Sequence, residues 1–239
     1  MSMGITKTDF MRGMQCRKML WLDKHRPGLR VIPPEIQAKL DAGNDFGDRA
    51  MGMFGPYEEM TVYRPGTRIP DKKKMAENTR KHLALGTEVI CEAAFLDYNN
   101  YCAVDILRKT EKGYDFYEVK NSPELHEQFI RDAGFQNYIL TRCGLRIGHI
   151  YIVLHGEDEE HPFVPREITA EAKELFPWIN EHIWDLNRMQ KEKEEVYSEP
   201  GAQCREPYEC WYYGYCHGEK REDEQLRAAE EETFRGTGE

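Results

Sequence analysis

Three strand-like segments separated by tight turns limit the fold of this 239-residue chain more than any other feature. Residues 87–95, 101–108 and 114–120 each have a strand-like pattern, and Asn99-Asn100 and Lys112-Gly113 stand between them as turn residues. The sequence therefore predicts three consecutive strands, with a short hairpin between the last two. The alternating stripe of the first strand consists of Val89, Cys91, Ala93 and Phe95.

Helical periodicity surrounds these strands. Apolar residues at helical spacing predict helices over residues 35–54, 72–85, 124–143 and 169–196, and Gly86 and Gly144 are placed to end the second and third. Residues 149–154 predict a further strand. The order helix, three strands, helix, strand is that of an α/β fold with a central mixed sheet flanked by helices.

The composition indicates a globular protein. Hydrophobic residues make up 40% and charged residues 32% of the chain, and no run of about 18 apolar residues exists. The first residues lack the pattern of a signal peptide, so we expect a cytoplasmic protein with no membrane partner. In that compartment, seven cysteines are expected to be free thiols or metal ligands.

The acidic charge is concentrated in the last third of the chain. The formal net charge is −10, yet residues 1–154 hold 23 bases against 20 acids. Residues 155–195 hold 12 acids against 5 bases. This distribution permits a nucleic-acid partner at the first two thirds of the chain without predicting one.

One pair of neighbouring strands carries a pattern with chemical meaning. Glu118 and Lys120 share a strand face, and Asp105 lies on the preceding strand, where it can stand opposite them. Two carboxylates a few Å apart form a natural site for Mg²⁺ or Mn²⁺. The alternative is a set of solvated charges. Gln136 lies on the apolar stripe of the next helix, either as a functional amide or as a satisfied core residue.

Three cysteines form a second pattern near the end of the chain. Cys204, Cys210 and Cys216 are evenly spaced in the aromatic-rich run CREPYECWYYGYC. Three thiolates favour a soft or borderline metal and require a fourth ligand, and both zinc and an iron–sulfur cluster fit. Buried free thiols are the alternative. Cys91, Cys102 and Cys143 are interpreted as packing residues.

The run VICEAAFLDYNNYCAVDILRKTEKGYDFYEVKNS, followed by DAGFQNYILTRCG, resembles the RecB-type branch of the PD-(D/E)xK nucleases. Within that branch it is most similar to the CRISPR-associated adaptation exonucleases and their uncharacterised bacterial relatives. The resemblance covers most of residues 5–216 and implies a restriction-endonuclease-like core. It also implies hydrolysis of DNA phosphodiester bonds, with single-stranded or free ends as the expected substrate.

The resemblance implies a role for each matching residue. Asp105 and Glu118 would bind the divalent metal, and Val119 would contribute its backbone carbonyl. Lys120 would assist the water or the phosphate, and Gln136 would position the substrate or Lys120. Many relatives carry a further ligand, His or Glu, on the first helix. The matching stretch GNDFGDRAMG offers only Asp48 as a candidate substitute.

The resemblance also supplies the fourth cysteine, because QCRKMLWL is similar to the N-terminal cysteine segment of these nucleases. Cys16 with the three late cysteines would then hold a structural 4Fe–4S cluster. The implied layout assigns residues 1–34 to an N-terminal segment with the first cluster cysteine and 35–160 to the nuclease core. It continues with a helical segment, a cysteine loop and an acidic tail, over residues 161–203, 204–216 and 217–239.

Two other interpretations remain open. The chain could be a nucleic-acid-binding or adaptor protein that keeps the nuclease fold without its chemistry. It could also be a protein whose cluster serves a redox role. Partners from DNA repair or CRISPR adaptation are expected for the nuclease interpretation.

Overall fold

A computed structural model describes residues 4–156, 158 and 160–218 of the protein. Its helices are α1 (Lys7–Gln15), α2 (Arg17–His25), α3 (Pro34–Ala50), α4 (Lys72–Leu85), α5 (Glu127–Arg142), α6 (Thr169–Glu174), α7 (Phe176–Met189) and α8 (Tyr213–His217). Its strands are β1 (Glu58–Glu59), β2 (Val89–Asp97), β3 (Asn100–Thr110), β4 (Gly113–Val119), β5 (Ile147–His155) and β6 (Phe163–Glu167). Short 3₁₀ turns lie at Pro27–Leu29, Met51–Phe54 and Ala202–Cys204.

The described strands form one six-stranded mixed sheet in the order β1-β2-β3-β4-β5-β6. The pairs β1–β2 and β4–β5 are parallel, whereas β2–β3, β3–β4 and β5–β6 are antiparallel. The connection from β4 to β5 runs through α5, as a parallel pair requires a crossover. The predicted α/β fold with a mixed sheet flanked by helices is therefore confirmed, as are α4, its left-handed end at Gly86 and the three consecutive strands.

Hydrophobic side chains cover both faces of the sheet. The larger cluster lies on the α5 side and includes Ile90, Leu107, Phe116, Ile139 and Ile152. The smaller cluster lies on the α3 side and contains Ala50, Met51, Val89, Cys91, Ile106, Tyr117 and Val153. Both faces are dry, so a charged side chain within this sheet needs a partner to offset its desolvation.

Strands β2 and β3 break their pairing at one shared position. Cys91 pairs with Ile106 and Ala93 with Val104, but the residues between them, Glu92 and Asp105, are not paired. Glu92 has a φ of 51°, in the left-handed region that a strand residue does not normally adopt. As a result, the predicted stripe is split: Val89 and Cys91 contact the α3-side cluster, and Ala93 and Phe95 contact the α5-side cluster. The expectation of one continuous face was wrong.

The N-terminal segment is part of the main core. Ile5, Phe10, Leu20 and Leu22 are fully buried, and the Phe10 ring lies 4.9 Å from that of Phe135 on α5. Helix α1 begins at a capping box formed by Thr6 and Asp9, which fixes its first turn. Residues near the start of the chain therefore reach the interior of the sheet's α5 face.

Three expectations about the helices need correction. The helix predicted over residues 169–196 is two helices that end at Met189, because Pro177 lacks the amide hydrogen needed to continue the first into the second. The predicted stripe on α3 is buried only near its end, and Leu40 is exposed. Leu125 precedes α5 and is exposed, and Cys143, expected to pack, is an exposed cap at its end.

The region after residue 160 also differs from expectation. The segment predicted as helical over residues 161–203 begins with β6, which completes an edge of the sheet against β5. Of the predicted acidic tail over residues 217–239, the part from residue 219 onward lies outside the described residues.

We predict that Gly113→Ala lowers the free energy of unfolding by roughly 2–3 kcal/mol, because Gly113 combines a φ of 136° with a close neighbour. A Cβ at this position would lie 2.2 Å from the carbonyl oxygen of Arg146. Urea denaturation measures the change. Gly43→Ala in α3 is the matched control, since nothing lies within 4 Å of its Cβ position, and it is expected to stabilise by about 0.5–1 kcal/mol. Equal effects of the two substitutions on stability would contradict the conclusion that the backbone at residue 113 requires glycine.

Candidate functional site

Three carboxylates lie in a row across β2, β3 and β4. Ile106 pairs with Tyr117, so the next position on each strand sets Asp105 opposite Glu118. The unpaired Glu92 stands opposite Asp105 on the other side. The Val119 amide donates a hydrogen bond of 2.7 Å to Asp105 Oδ2. The break in the β2–β3 ladder thus lies where the acids meet.

Glu118 is the most enclosed of the three, with 1% of its surface exposed. Its Oε1 accepts hydrogen bonds from Lys7 Nζ at 2.8 Å and from Lys120 Nζ at 2.7 Å. Its Oε2 accepts one from Gln136 Nε2 at 2.7 Å. Burial opposes its ionisation, but the charges and hydrogen bonds of Lys120 and Lys7 outweigh burial and hold the pKa of Glu118 well below its usual value.

Lys120 joins Glu118 to a second buried acid on α5. Its ammonium also forms an ion pair with Asp132, whose residue is 5% exposed. Burial favours the neutral amine, but the charges of Asp132 and Glu118 dominate and raise the pKa of Lys120. Asp132 and Glu118 thus favour the protonated form of Lys120.

Asp105 and Glu92 lack such close cations. Burial, together with the charge of Glu118, raises the pKa of Asp105 to about 8, although Lys7 and Lys120 act in the opposite direction. Burial likewise raises the pKa of Glu92, which Lys7 only partly offsets. Crowded carboxylates of this kind bind protons or a divalent cation with favourable energy.

Gln136 connects the two buried acids. It is fully buried, and its Nε2 donates to Glu118 Oε2 and, at 3.2 Å, to Asp132 Oδ1. Its Oε1 is buried without a hydrogen-bond partner among the described residues. A buried amide oxygen without a donor is costly. The amide therefore has one free acceptor beside the carboxylates, which suits a bound water or a substrate hydroxyl.

These six charged residues, called the charged cluster below, are Lys7, Glu92, Asp105, Glu118, Lys120 and Asp132. The sequence-predicted trio of Asp105, Glu118 and Lys120 is brought together with Gln136. Val119 contacts Asp105 through its amide, whereas the predicted role belongs to its carbonyl. Asp48 is exposed on α3, and its charge reaches the site only by adding to the repulsion that raises the pKa of Glu92.

Three members of the charged cluster escaped the sequence analysis. Two of them could have been found from the sequence. Asp132 lies one helical turn before Gln136, so the two share a helix face. Glu92 interrupts the apolar run VICEAAF, where an unpaired acid would be costly. Nothing in the sequence pointed to Lys7, because 111 positions separate it from Glu118 along the chain. Only the packing of α1 beneath the sheet reveals it.

The four predicted cysteines surround a single cavity, called the cysteine cavity below. Cys16 lies between α1 and α2, Cys204 ends a 3₁₀ turn, and Cys216 lies in α8. Cys210 is tied to Cys204 by a backbone hydrogen bond of 2.9 Å. The remaining lining includes Met19, Leu22, Pro200, Gln203 and Tyr212. Burial raises the pKa of the Cys210 thiol to about 11, and the neighbouring thiols of Cys16 and Cys216 contribute.

The donor set of this cavity fits the groups expected from the sequence. Four thiols around one apolar space suit tetrahedral zinc or a 4Fe–4S cluster. Among residues 4–156, 158 and 160–218, however, no three His, Cys, Asp or Glu side chains already form a metal-coordinating group. The cysteines are therefore neighbours around one space and not a closed coordination sphere. Cys91 and Cys102 are buried in the core, away from this lining.

The cysteine cavity and the charged cluster share helix α1. Lys7 begins the helix at Glu118, and Cys16 follows its last residue, Gln15. The Gln15 amide donates to the carbonyls of Gln203 at 2.8 Å and Tyr208 at 2.5 Å. One helix therefore fixes both the lysine at the acids and the loop that carries the later cysteines.

Tyr208 extends from the cysteine loop toward the charged cluster. Burial raises the pKa of its phenol, and the charges of Lys120, Asp132 and other cluster members act on it. About 46% of the residue is nevertheless exposed. Tyr208 thus borders the site on the solvent side, a position that sequence spacing gave no reason to expect.

Comparison of the chain with known protein families gives no match, and no curated protein matches it. Among the described helices, none has both the length and the apolar character needed to cross a bilayer. The features that describe this molecule are an α/β fold with a six-stranded mixed sheet, a partly buried charged cluster and a cavity lined by four cysteines.

We predict that Asp105→Asn stabilises the metal-free protein, and that this advantage increases with pH. The pKa of Asp105 is about 8 in the folded protein against 3.8 in an unfolded chain. Between these values unfolding releases a proton, so the carboxyl makes the folded state less stable as pH rises from about 4 to 8. The amide has no such dependence and still accepts the Val119 hydrogen bond.

Urea denaturation in the presence of a chelator, at pH 5 and pH 9, measures this difference. The variant is expected to gain more stability over the wild type at pH 9 than at pH 5. Glu127→Gln, which removes a charge from an exposed side chain, is the control and should give no such trend. A pH-independent difference for Asp105→Asn would contradict the raised pKa.

Proposed function

We propose that the protein is a metal-dependent nuclease of the PD-(D/E)xK class that hydrolyses phosphodiester bonds of DNA, acting on single strands or free ends. The observation that carries the proposal is the enclosed meeting of Asp105, Glu118 and Lys120 on adjacent strands. Two acids and a lysine held together in this way lose hydration on folding, and such groups are frequent at catalytic sites.

The chemistry of these donors suits a divalent cation such as Mg²⁺ or Mn²⁺, although among the described residues no three Asp, Glu, His or Cys side chains already form a metal-coordinating group. Asp105, Glu118 and the Val119 carbonyl would hold the ion, with Glu92 as a further hard oxygen ligand beside them. When bound, the ion supplies a water of lowered pKa and a positive charge at the scissile phosphate. Lys7 is the counter-charge of Glu118, at 2.8 Å from its Oε1.

The chain's own groups complete the proposed mechanism. Lys120 stays protonated, so its ammonium donates hydrogen bonds to a phosphate oxygen and stabilises the charge that develops there. Asp132 holds Lys120 in place from α5. The free Oε1 of Gln136 accepts a hydrogen bond from the attacking water and orients it.

We also propose that the cysteine cavity holds a 4Fe–4S cluster with a structural role, with zinc as the alternative metal. A cluster there would fix Gln15 and Cys16 at one end of α1, and therefore Lys7 at the other. The protein would act in the cytoplasm, with partners from DNA repair or CRISPR adaptation.

One observation favours a second function, that of a nucleic-acid-binding or adaptor protein without hydrolytic activity. Both oxygens of Glu118 are already hydrogen-bonded, to Lys7, Lys120 and Gln136. If these contacts persist, no ion binds. Calorimetric titration with Mn²⁺ separates the two: absence of binding in a protein that still binds single-stranded DNA would favour the adaptor.

We predict that Asp105→Ala and Lys120→Ala each lower Mn²⁺-dependent degradation of end-labelled single-stranded DNA by about 100-fold or more, since each removes a group that acts on the phosphate or its metal. Circular dichroism should show a retained fold. Lys109→Ala is the matched control, because this lysine is exposed at the far end of β3. Full activity in either site variant would refute the nuclease assignment.

We predict that Cys204→Ser loses most of the bound iron or zinc, because Cys204 lines the cysteine cavity. Cys143→Ser should retain the metal, because Cys143 is exposed and lies outside this lining. Anaerobic purification followed by iron, zinc and sulfide assays makes the measurement and identifies the metal. Equal metal content in the two variants, or a wild type without either metal, would contradict the cavity as a metal site.

A further inference from the structure

Residues 62–71, called the arm below, form a small β-hairpin with an antiparallel bridge between Tyr63 and Pro70, and residues 63–70 are exposed. The Asp71 amide donates to the Val62 carbonyl at 2.7 Å, and the Arg64 amide donates to the Ile69 carbonyl at 2.9 Å. These cross-strand bonds hold the hairpin in one conformation. The hairpin backbone therefore determines where its surface side chains start.

The base of the arm is anchored beside the charged cluster. Strand β1 pairs with β2, and the Met60 amide then donates to the Cys91 carbonyl at 3.0 Å. Met60 is buried, and Cys91 is the residue directly before Glu92. The arm therefore leaves the sheet edge one residue from the row of carboxylates.

The exposed surface of the arm combines apolar and basic side chains. Tyr63 is 54% exposed and Ile69 is 53% exposed, although both belong to an ordered hairpin. Arg64 and Arg68 are also exposed, and no carboxylate of the described part of the chain lies within ion-pair distance of either. Aromatic and cationic groups without protein partners match the bases and phosphates of a nucleic acid strand.

Cations continue from the arm toward the acids. Lys72 begins α4 directly after the arm, and its Nζ lies 4.9 Å from the centre of the Tyr101 ring, which neighbours the start of α1 and Lys7. Burial lowers the pKa of Lys72; the charge of Asp9 acts in the opposite direction, and the positive charges of Lys24 and Arg64 add to the lowering. Lys24 is already paired with Asp9 at 2.8 Å, so Arg64 is the base whose charge reaches Lys72 without an ion-pair partner of its own in the described part of the chain.

We propose that the arm and Lys72 form the entry surface for a single strand of nucleic acid, with a base stacked on Tyr63 and phosphates bound by Arg64, Arg68 and Lys72. An unpaired base is required because only an unstacked base exposes its face to a tyrosine. The inference rests on the proposed nuclease function, since it directs the strand toward Asp105 and Glu118. It places substrate contact outside the sheet and outside the resembling motifs.

Binding of a fluorescent 20-nucleotide oligothymidylate, measured by anisotropy with chelator present, tests the arm without catalysis. The double variant Arg64→Ala, Arg68→Ala should weaken binding and reduce the slope of log K against log salt by about 1.4, or about 0.7 per lost phosphate contact. Tyr63→Ala should weaken binding about five-fold or more with an unchanged salt slope, because stacking releases no counterions.

The matched control is Arg166→Ala with Arg188→Ala, which removes the same charge from β6 and α7, away from the arm. This control should leave affinity and slope unchanged. Equal losses in the two double variants, unchanged binding in the arm variants, or no binding by the wild type would each overturn the inference. Weakened binding in the arm variants supports the arm even where the wild type fails to degrade DNA with Mn²⁺, so the two proposals fail separately.

Discussion

The buried negative charge of Glu118 organises the rest of the structure. A carboxylate with 1% exposure loses its hydration, and that loss costs several kcal/mol unless donors replace the water. The donors come from three separate elements: Lys7 from α1, Lys120 at the end of β4 and Gln136 from α5. The charge therefore links the N-terminal helix, the central sheet and the crossover helix, and the same contacts that keep it ionised also determine its chemistry.

The break in pairing between β2 and β3 also involves buried or partly buried acids. In a regular ladder, the Glu92 side chain would lie on one of the two apolar faces of the sheet. An acid without a nearby cation is unfavourable there. The left-handed φ of Glu92 and the unpaired Asp105 opposite it interrupt the ladder at the point where two acids face each other across the strands. Backbone strain of this type persists only where the surrounding structure holds it. Here the flanking pairs Cys91–Ile106 and Ala93–Val104 hold it on both sides.

The sequence predicted those parts of the site that depend on residues close together in the chain. The hairpin between β3 and β4 has a short turn, so the sequence was sufficient to set Asp105 opposite Glu118 and to put Lys120 on the same face. Lys7 could not be predicted in this way, because its position depends on how α1 packs under the sheet. The split of the Val89–Phe95 stripe was also missed, since all four residues are apolar on either face.

Helix α1 shows why two sites with different chemistry occur in one small fold. Its first residue, Lys7, pairs with Glu118, and its last residue, Gln15, holds the loop that carries Cys204 and Cys210. A nine-residue helix is rigid on this length scale, so a displacement at one end is transmitted to the other. Metal bound by the cysteines would therefore limit the positions open to Lys7. The contact between Lys7 and Glu118 therefore depends on how firmly the loop at the other end of α1 is held.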